Sequence, residues 1–97
     1  MKLRYSPRAT SDLEAIAGYL KARSPQGAVR VRDAILATLR DIATFPRLGR
    51  RQTVDTVRKV AVRKYPYLIY YSVDLDADEI AVLTIQHNAR ERQHTDS

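Results

Sequence analysis

The sequence predicts an α+β fold: an N-terminal strand, an antiparallel helical hairpin, and then a three-stranded antiparallel sheet. Two patterns lead to this class. Residues 11–45 repeat apolar side chains at the spacing of amphipathic helices, whereas residues 57–87 are rich in β-branched and aromatic residues. A chain of 97 residues, 44% of them hydrophobic, is long enough for one compact core and too short for two. We therefore expect a single domain over 1–97.

The first two elements are a short strand and a helix. Residues 1–6 contain a brief alternation of apolar and polar side chains, which suits a strand, and Pro7 ends it. Ser11 and Glu14 have the spacing of a capping box, in which the serine hydroxyl and the glutamate carboxylate each accept a bond from the other's backbone N–H. The first helix is therefore predicted over residues 11–23.

A second helix is predicted over residues 25–45. Ser24 is a good N-cap, and Pro25 suits the first helical position because its missing N–H would have no partner there. The link to the first helix is very short, so the two helices should pack as an antiparallel hairpin. The stripe expected to face the sheet, with Ile69 and Ile85 among its contacts, consists of Val31, Ile35, Leu39 and Ile42.

Three strands are predicted in the C-terminal half. Residues 57–63 alternate basic and β-branched side chains, and Pro66 ends this strand. The run 67–73 is aromatic and β-branched, which is typical of a buried central strand. Residues 79–87 follow an acidic turn and form a hairpin with that strand. Residues 88–97 are polar, so we expect a C-terminal tail.

Composition argues against several kinds of site. The chain has no cysteine and only three glycines, so we expect no disulfide, thiolate metal site, cysteine nucleophile or phosphate-binding glycine loop. Asp74, Asp76 and Asp78 alternate like the start of a calcium loop, but the glycine and distal glutamate of that motif are missing. We interpret them as a solvated turn and expect no metal and no cofactor. Without a targeting or membrane-spanning segment, we expect a cytoplasmic protein with no membrane partner.

Positive charge is concentrated in residues 46–65. This stretch carries seven Lys/Arg and one acid, a net charge of +6, which equals the formal net charge of the whole chain. Charge this concentrated indicates an anionic partner. The alternative is a solvated strand whose long side chains cover the sheet while their charges stay in water. The candidate binding residues are Arg50, Arg51, Arg58, Lys59, Arg63 and Lys64.

Aromatic residues and a histidine lie close to these bases in the sequence. Tyr65, Tyr67, Tyr70 and Tyr71 follow the basic strand, and bases with aromatics on a sheet can bind a phosphate backbone and stack nucleobases. The last strand ends in His-x-x-Arg, His87 to Arg90. The histidine could transfer protons near neutral pH and the arginine could hold an anion. The alternative is that His87 is a structural hydrogen-bonding residue.

Three segments occur in a characteristic order. SPRATSDLEAIAGYL joins the first strand to the first helix, PRLGRR precedes the strands in RKVAVRKYPYLIYYSV, and IAVLTIQHNAR ends the last strand. In this order and length, covering about residues 2–92, they resemble the RelE/ParE superfamily of small toxins from bacterial type II toxin–antitoxin modules. The resemblance implies a cognate antitoxin whose C-terminal segment folds onto the toxin, and a toxin–antitoxin hetero-oligomer.

The resemblance implies one of two activities. ParE-like members poison DNA gyrase, block DNA replication and have no assigned catalytic residues; RelE-like members cleave mRNA on the ribosome, often with a C-terminal tyrosine. This chain has the ParE-like pair of long helices and His-x-x-Arg ending, and no tyrosine after Tyr71. We therefore expect a gyrase inhibitor, not an enzyme, with the mRNA endonuclease as the alternative. A third interpretation is a nontoxic module that binds nucleic acid or protein, since shared folds host different functions.

Each activity implies its own residues. Binding of a target or antitoxin is assigned to the basic candidates of residues 46–65 together with Arg90. For the nuclease, the acid–base constellation would be Arg63, Lys64, Tyr70, His87 and Arg90.

Overall fold

The computed structural model describes residues 1–54 and 56–89, so Arg90 and the rest of the predicted tail lie outside the described residues. Two helices follow the first strand, and four more strands complete a five-stranded sheet. The elements are β1 (Lys2–Tyr5), α1 (Pro7–Arg23), α2 (Pro25–Thr44), β2 (Arg50–Arg51), β3 (Val57–Ala61), β4 (Tyr67–Asp74) and β5 (Glu79–His87). The predicted α+β class is confirmed.

The sheet has the order β1-β5-β4-β3-β2. The three long strands are antiparallel neighbours, as predicted, and two additions extend them. β1 pairs in parallel with β5, which is possible because the long connection between them, through both helices and three strands, lets the chain return in the same direction. The two-residue β2 pairs with β3 and forms the opposite edge. A strand this short has no sequence pattern of its own, and it was not predicted.

The first helix begins at Pro7, so the predicted capping box at Ser11 and Glu14 is wrong. Ser6 is the N-cap: its hydroxyl oxygen accepts a bond from the Ala9 N–H at 3.0 Å, and Pro7 occupies the first helical position. The pair Ser6-Pro7 thus repeats the Ser-Pro start of α2 and begins the helix more than one turn earlier. The same hydroxyl donates to the Leu83 carbonyl at 2.7 Å and ties this helix end to β5.

The second helix agrees with its prediction. The Ser24 hydroxyl accepts from the Gly27 N–H at 3.0 Å, and the helix ends at Thr44 ahead of Pro46. Its predicted stripe is buried in one core cluster with Ile69 and Ile85, as expected, and consists of Val31, Ile35, Leu39 and Ile42.

Asp12 attaches α1 to β5 beyond the end of β1. Its carboxylate accepts hydrogen bonds from the Thr84 hydroxyl at 2.5 Å and from the Ile85 N–H at 3.0 Å. Arg8 lies one turn earlier and forms an ion pair with the same carboxylate at 3.4 Å. Asp12 therefore binds a backbone N–H of β5 that lies beyond the last residue paired with β1.

The pairing register assigns side chains to the two faces of the sheet, because directly paired residues share a face. The face that packs on the helices carries the core residues Ile69, Tyr71, Val82 and Ile85. The opposite face, which we call the open face, carries Lys59 and Tyr70 among others. The predicted strand 57–63 ends at Ala61, where the chain enters the turn before β4.

None of the helices in the described part of the chain is both long enough and apolar enough to cross a membrane.

Candidate binding surface

The basic residues of the 46–65 stretch divide between the two faces of the sheet. Arg50 pairs with Lys59, and Lys59 pairs with Tyr70, so these three side chains form a row across β2, β3 and β4 on the open face. Arg51 pairs with Arg58, and Arg58 pairs with Tyr71, whose ring lies in the core. Arg51 and Arg58 therefore belong to the helix side of the sheet, near its edge.

Arg58 is engaged in holding a loop. Its guanidinium donates to the Gly49 carbonyl at 2.8 Å and reaches the Arg47 carbonyl at 3.4 Å. These carbonyls belong to residues 46–49, which connect α2 to β2 and which we call the 46–49 loop. Arg58, which was predicted to bind a partner, thus donates hydrogen bonds to the protein's own backbone. Its positive charge remains near the edge of the sheet.

Tyr71 holds the same loop from inside. Its hydroxyl donates to the Pro46 carbonyl at 2.8 Å and accepts from the Gly49 N–H at 2.8 Å. A Cβ on Gly49 would lie only 2.7 Å from that hydroxyl oxygen, so the close approach requires glycine. Burial raises the pKa of Tyr71, opposed by the Gly49 hydrogen bond and by the Arg58 charge. The hydroxyl therefore stays protonated and remains a donor to Pro46.

Arg63 and Lys64 lie apart from this loop, in the turn between β3 and β4. Both are exposed, and Lys64 adopts a left-handed backbone conformation with φ of 73°. The turn lies at the end of the sheet where Tyr67 pairs with His87. Tyr67 is three residues along β4 from Tyr70, the member of the open-face row in that strand.

His87 packs against the helix side of the sheet. Its ring meets the Tyr67 ring edge-on, with centroids 5.5 Å apart, and its Nδ1 accepts from the Ala89 N–H at 3.1 Å. Burial, and to a lesser degree Tyr19, raises the pKa of Tyr67. A cleft of about 650 Å³ beside this pair is also lined by Tyr65 and Arg30.

Tyr70 and His87, two of the residues proposed for a nuclease, lie on opposite faces of the sheet. Tyr67 and Tyr70 are three positions apart in a strand, so their side chains point to opposite faces, and His87 shares the face of Tyr67. Tyr70 and His87 consequently open on opposite sides of the sheet. Arg90 lies outside the described residues, so its place in either set stays a prediction.

An apolar cleft adjoins the basic surface, and sequence reasoning missed it. It measures about 560 Å³ and lies between the end of α2, the 46–49 loop and the ends of β3 and β4. We call it the arginine cleft, defined by Phe45, Arg47, Leu48, Arg51, Arg58 and Leu75. One signal was available: Phe45 and Leu48 flank Pro46 beyond the helical stripe, and Leu75 is the single leucine of the acidic turn.

The acidic turn, residues 74–78, contains a side-chain hydrogen bond to its own backbone. An Asp74 carboxylate oxygen accepts from the Ala77 N–H at 3.1 Å. Within residues 1–54 and 56–89, no three histidine, cysteine or acidic side chains are grouped so that they could hold a metal ion.

The sequence is similar to those of known toxins. The family model described as "ParE toxin of type II toxin-antitoxin system, parDE" matches residues 3–92. The putative toxin Y4kP of Sinorhizobium fredii is 28% identical over 86 residues, which cover 89% of this chain and 86% of that protein.

Solved structures share the fold at low identity. The chromosomal ParDE system from P. aeruginosa superposes with a TM-score of 0.77 at 23% identity, covering 90% of this chain and 95% of that one. The isolated E. coli RelE toxin gives 0.70 at 18% identity, covering 98% and 92%. The toxin–antitoxin complex RelBE of E. coli gives 0.68 at 18% identity, covering 89% and 94%.

Proposed function

Because this chain belongs to the ParE toxin family of type II toxin–antitoxin systems, we propose that it inhibits DNA gyrase, and thereby DNA replication, until a cognate antitoxin neutralises it. The toxin would act by binding, without a catalytic step of its own. Gyrase acts on DNA in the bacterial cytoplasm, so the proposal also places the toxin there.

The separation of Tyr70 from His87 is the observation that supports a binding function. A nuclease needs its base, its acid and its phosphate-binding cations within hydrogen-bond reach of one phosphodiester. Here the two side chains best suited to proton transfer lie on opposite faces of the sheet. Arg63 and Lys64 lie in the turn between β3 and β4, at the end of the sheet where Tyr67 pairs with His87.

A second candidate function, an mRNA endonuclease acting on the ribosome, is favoured by a different observation. Arg50, Lys59 and Tyr70 form a basic row ending in an aromatic ring on the open face. Such a row can hold a phosphate backbone and stack a nucleobase. Among residues 1–54 and 56–89 it has no histidine on the same face, since His87 lies on the helix side.

Two assays on the purified toxin separate these functions. A gyrase inhibitor should block supercoiling of relaxed plasmid, or trap cleaved DNA, and leave ribosome-bound mRNA intact. Primer extension on translated mRNA is the parallel readout. Cuts in that mRNA that disappear in Tyr70→Phe or Lys59→Gln, with supercoiling unaffected by the wild-type protein, would replace the first function with the second.

A further inference from the structure

The arginine cleft collects exposed apolar side chains from segments far apart in the sequence. Phe45 is 64% exposed, Leu48 50% and Leu75 75%, and all three line the cleft. Scattered apolar residues are normal on a protein surface, but a concave group of them marks a site of contact with another molecule. Leu48 belongs to the 46–49 loop and Phe45 directly precedes it, so the backbone that carries both side chains is held in place by Tyr71 and Arg58.

The charge around this cleft has one sign. Arg47, Arg51 and Arg58 line it, and none of its described lining residues is acidic. Asp74 and Asp76 flank Leu75 in the sequence but do not line the cleft. An apolar centre with a basic rim complements a peptide that carries apolar side chains between carboxylates. It suits a nucleic acid less well, because Leu48 and Leu75 are aliphatic and offer no ring on which a nucleobase could stack.

We propose that the arginine cleft is the docking site for an acidic, leucine-rich segment of the antitoxin. Apolar side chains of that segment insert between Phe45, Leu48 and Leu75, and its carboxylates face Arg47 and Arg51. This inference rests on the proposed function for the existence of a neutralising partner. The apolar contacts supply the lifetime of the complex, whereas the arginines speed its formation and select an acidic sequence.

The probe is a short synthetic peptide of alternating leucine and glutamate, titrated into the ¹⁵N-labelled toxin. Amide signals of the arginine cleft should shift and saturate. A leucine–lysine peptide and a serine–glutamate peptide are the matched probes, since each removes one half of the complementarity. Neither should saturate the same signals.

Single substitutions then locate the contact. Leu48→Ser and Leu75→Ser should each weaken the leucine–glutamate peptide about fivefold or more, as expected for an apolar anchor. Leu36→Ser is the matched control, because Leu36 is also partly exposed but lines the groove between the two helices. Arg47→Gln should weaken binding mainly at low salt, and Arg30→Gln, on the cleft near His87, should not.

Several results would overturn the inference. Equal binding of the acidic and basic peptides would show that the arginines select nothing. Shifts confined to other surfaces, or no shift, would remove the cleft as the site. Signals of the cleft that move with toxin concentration alone would make a second copy of the chain the occupant.

The supercoiling assay distinguishes a failure of this inference from a failure of the proposed target. Leu48→Ser toxin should still inhibit gyrase if the cleft serves the antitoxin only. Peptide binding at the cleft without gyrase inhibition would refute the target and leave the docking site standing. Gyrase inhibition without peptide binding would refute the docking site and leave the proposed target standing.

Discussion

Tyr71→Phe tests how the candidate surface is built. The wild-type side chain is 0% exposed, and its hydroxyl bridges the Pro46 carbonyl and the Gly49 N–H at 2.8 Å each. Phenylalanine fills the same space but leaves a buried N–H and a carbonyl without their partner. The buried N–H costs about 1–3 kcal/mol and the partly buried Pro46 carbonyl about 1 kcal/mol, so the free energy of unfolding should fall by about 2–4 kcal/mol. For a domain of this size the midpoint of thermal unfolding should fall by roughly 10–25 °C.

A second substitution shows whether this cost belongs to the loop. The Cβ of Gly49→Ala would lie 2.7 Å from the Tyr71 hydroxyl oxygen, 2.8 Å from its Cε1 and 3.0 Å from the Lys59 carbonyl oxygen. The loop must therefore move, which costs about 1–3 kcal/mol and breaks the hydrogen bond that Tyr71→Phe also removes. The double variant should then be more stable than the sum of the single costs predicts, by about 1 kcal/mol.

Urea unfolding followed by circular dichroism measures all three variants. Tyr19→Phe is the matched control, because Tyr19 is 57% exposed on α1 and its loss of a hydroxyl should change stability by less than about 0.5 kcal/mol. The reasoning is refuted if Tyr71→Phe behaves like this control, or if the costs of Tyr71→Phe and Gly49→Ala simply add.

Three further predictions concern the fold. Leu39→Ala should cost about 2–5 kcal/mol in urea unfolding, since Leu39 is 1% exposed in the core; an unchanged midpoint would contradict the helix register. Asp12→Ala should lower the free energy of unfolding by about 1.5–3 kcal/mol, because it removes two hydrogen bonds to β5. Arg8→Ala removes only the exposed ion-pair partner and should lower it by less than about 1 kcal/mol. Equal losses would assign the effect to the ion pair. The raised pKa values of Tyr67 and Tyr71 favour the protonated form in the folded state, so their contribution is complete below about pH 10 and is lost as the pH rises through the folded-state values. Stability should accordingly fall in alkali, less steeply in Tyr71→Phe, and equal slopes would contradict this.

The helices show where sequence reasoning succeeds and where it fails. The apolar stripe of α2 specified its buried face, because apolar residues that repeat with the 3.6-residue period of a helix lie on one side, and that side packs in the core. The start of α1 was misplaced because two N-cap signals lie in succession, at Ser6 and at Ser11. Only the structure shows which one wins: the Ser6 hydroxyl also binds the Leu83 carbonyl, a partner 77 positions away in the chain.

The faces of the sheet were harder to predict. In residues 58–63 both parities of the alternation carry a base, Arg58 on one and Lys59 on the other. Alternation alone therefore could not say which base points to the helices. The pairing with β4 decides it, since Tyr71 is a core residue and Arg58 lies opposite it. The arginine cleft depends on contacts between distant segments, so no local pattern could reveal it.

The charge of residues 46–65 therefore has two kinds of role, and experiments that neutralise it must distinguish them. Arg58→Gln removes donors to the Gly49 and Arg47 carbonyls, so it disturbs the 46–49 loop as well as the local field. Arg50→Gln and Lys59→Gln change the row on the open face, where Lys59 pairs with both Arg50 and Tyr70. If the charge steers partners, the open-face variants should slow association without loss of stability, and the effect should shrink in salt. Loss of binding by Arg58→Gln alone, together with a lower free energy of unfolding, would instead identify the loop as the element that partners require.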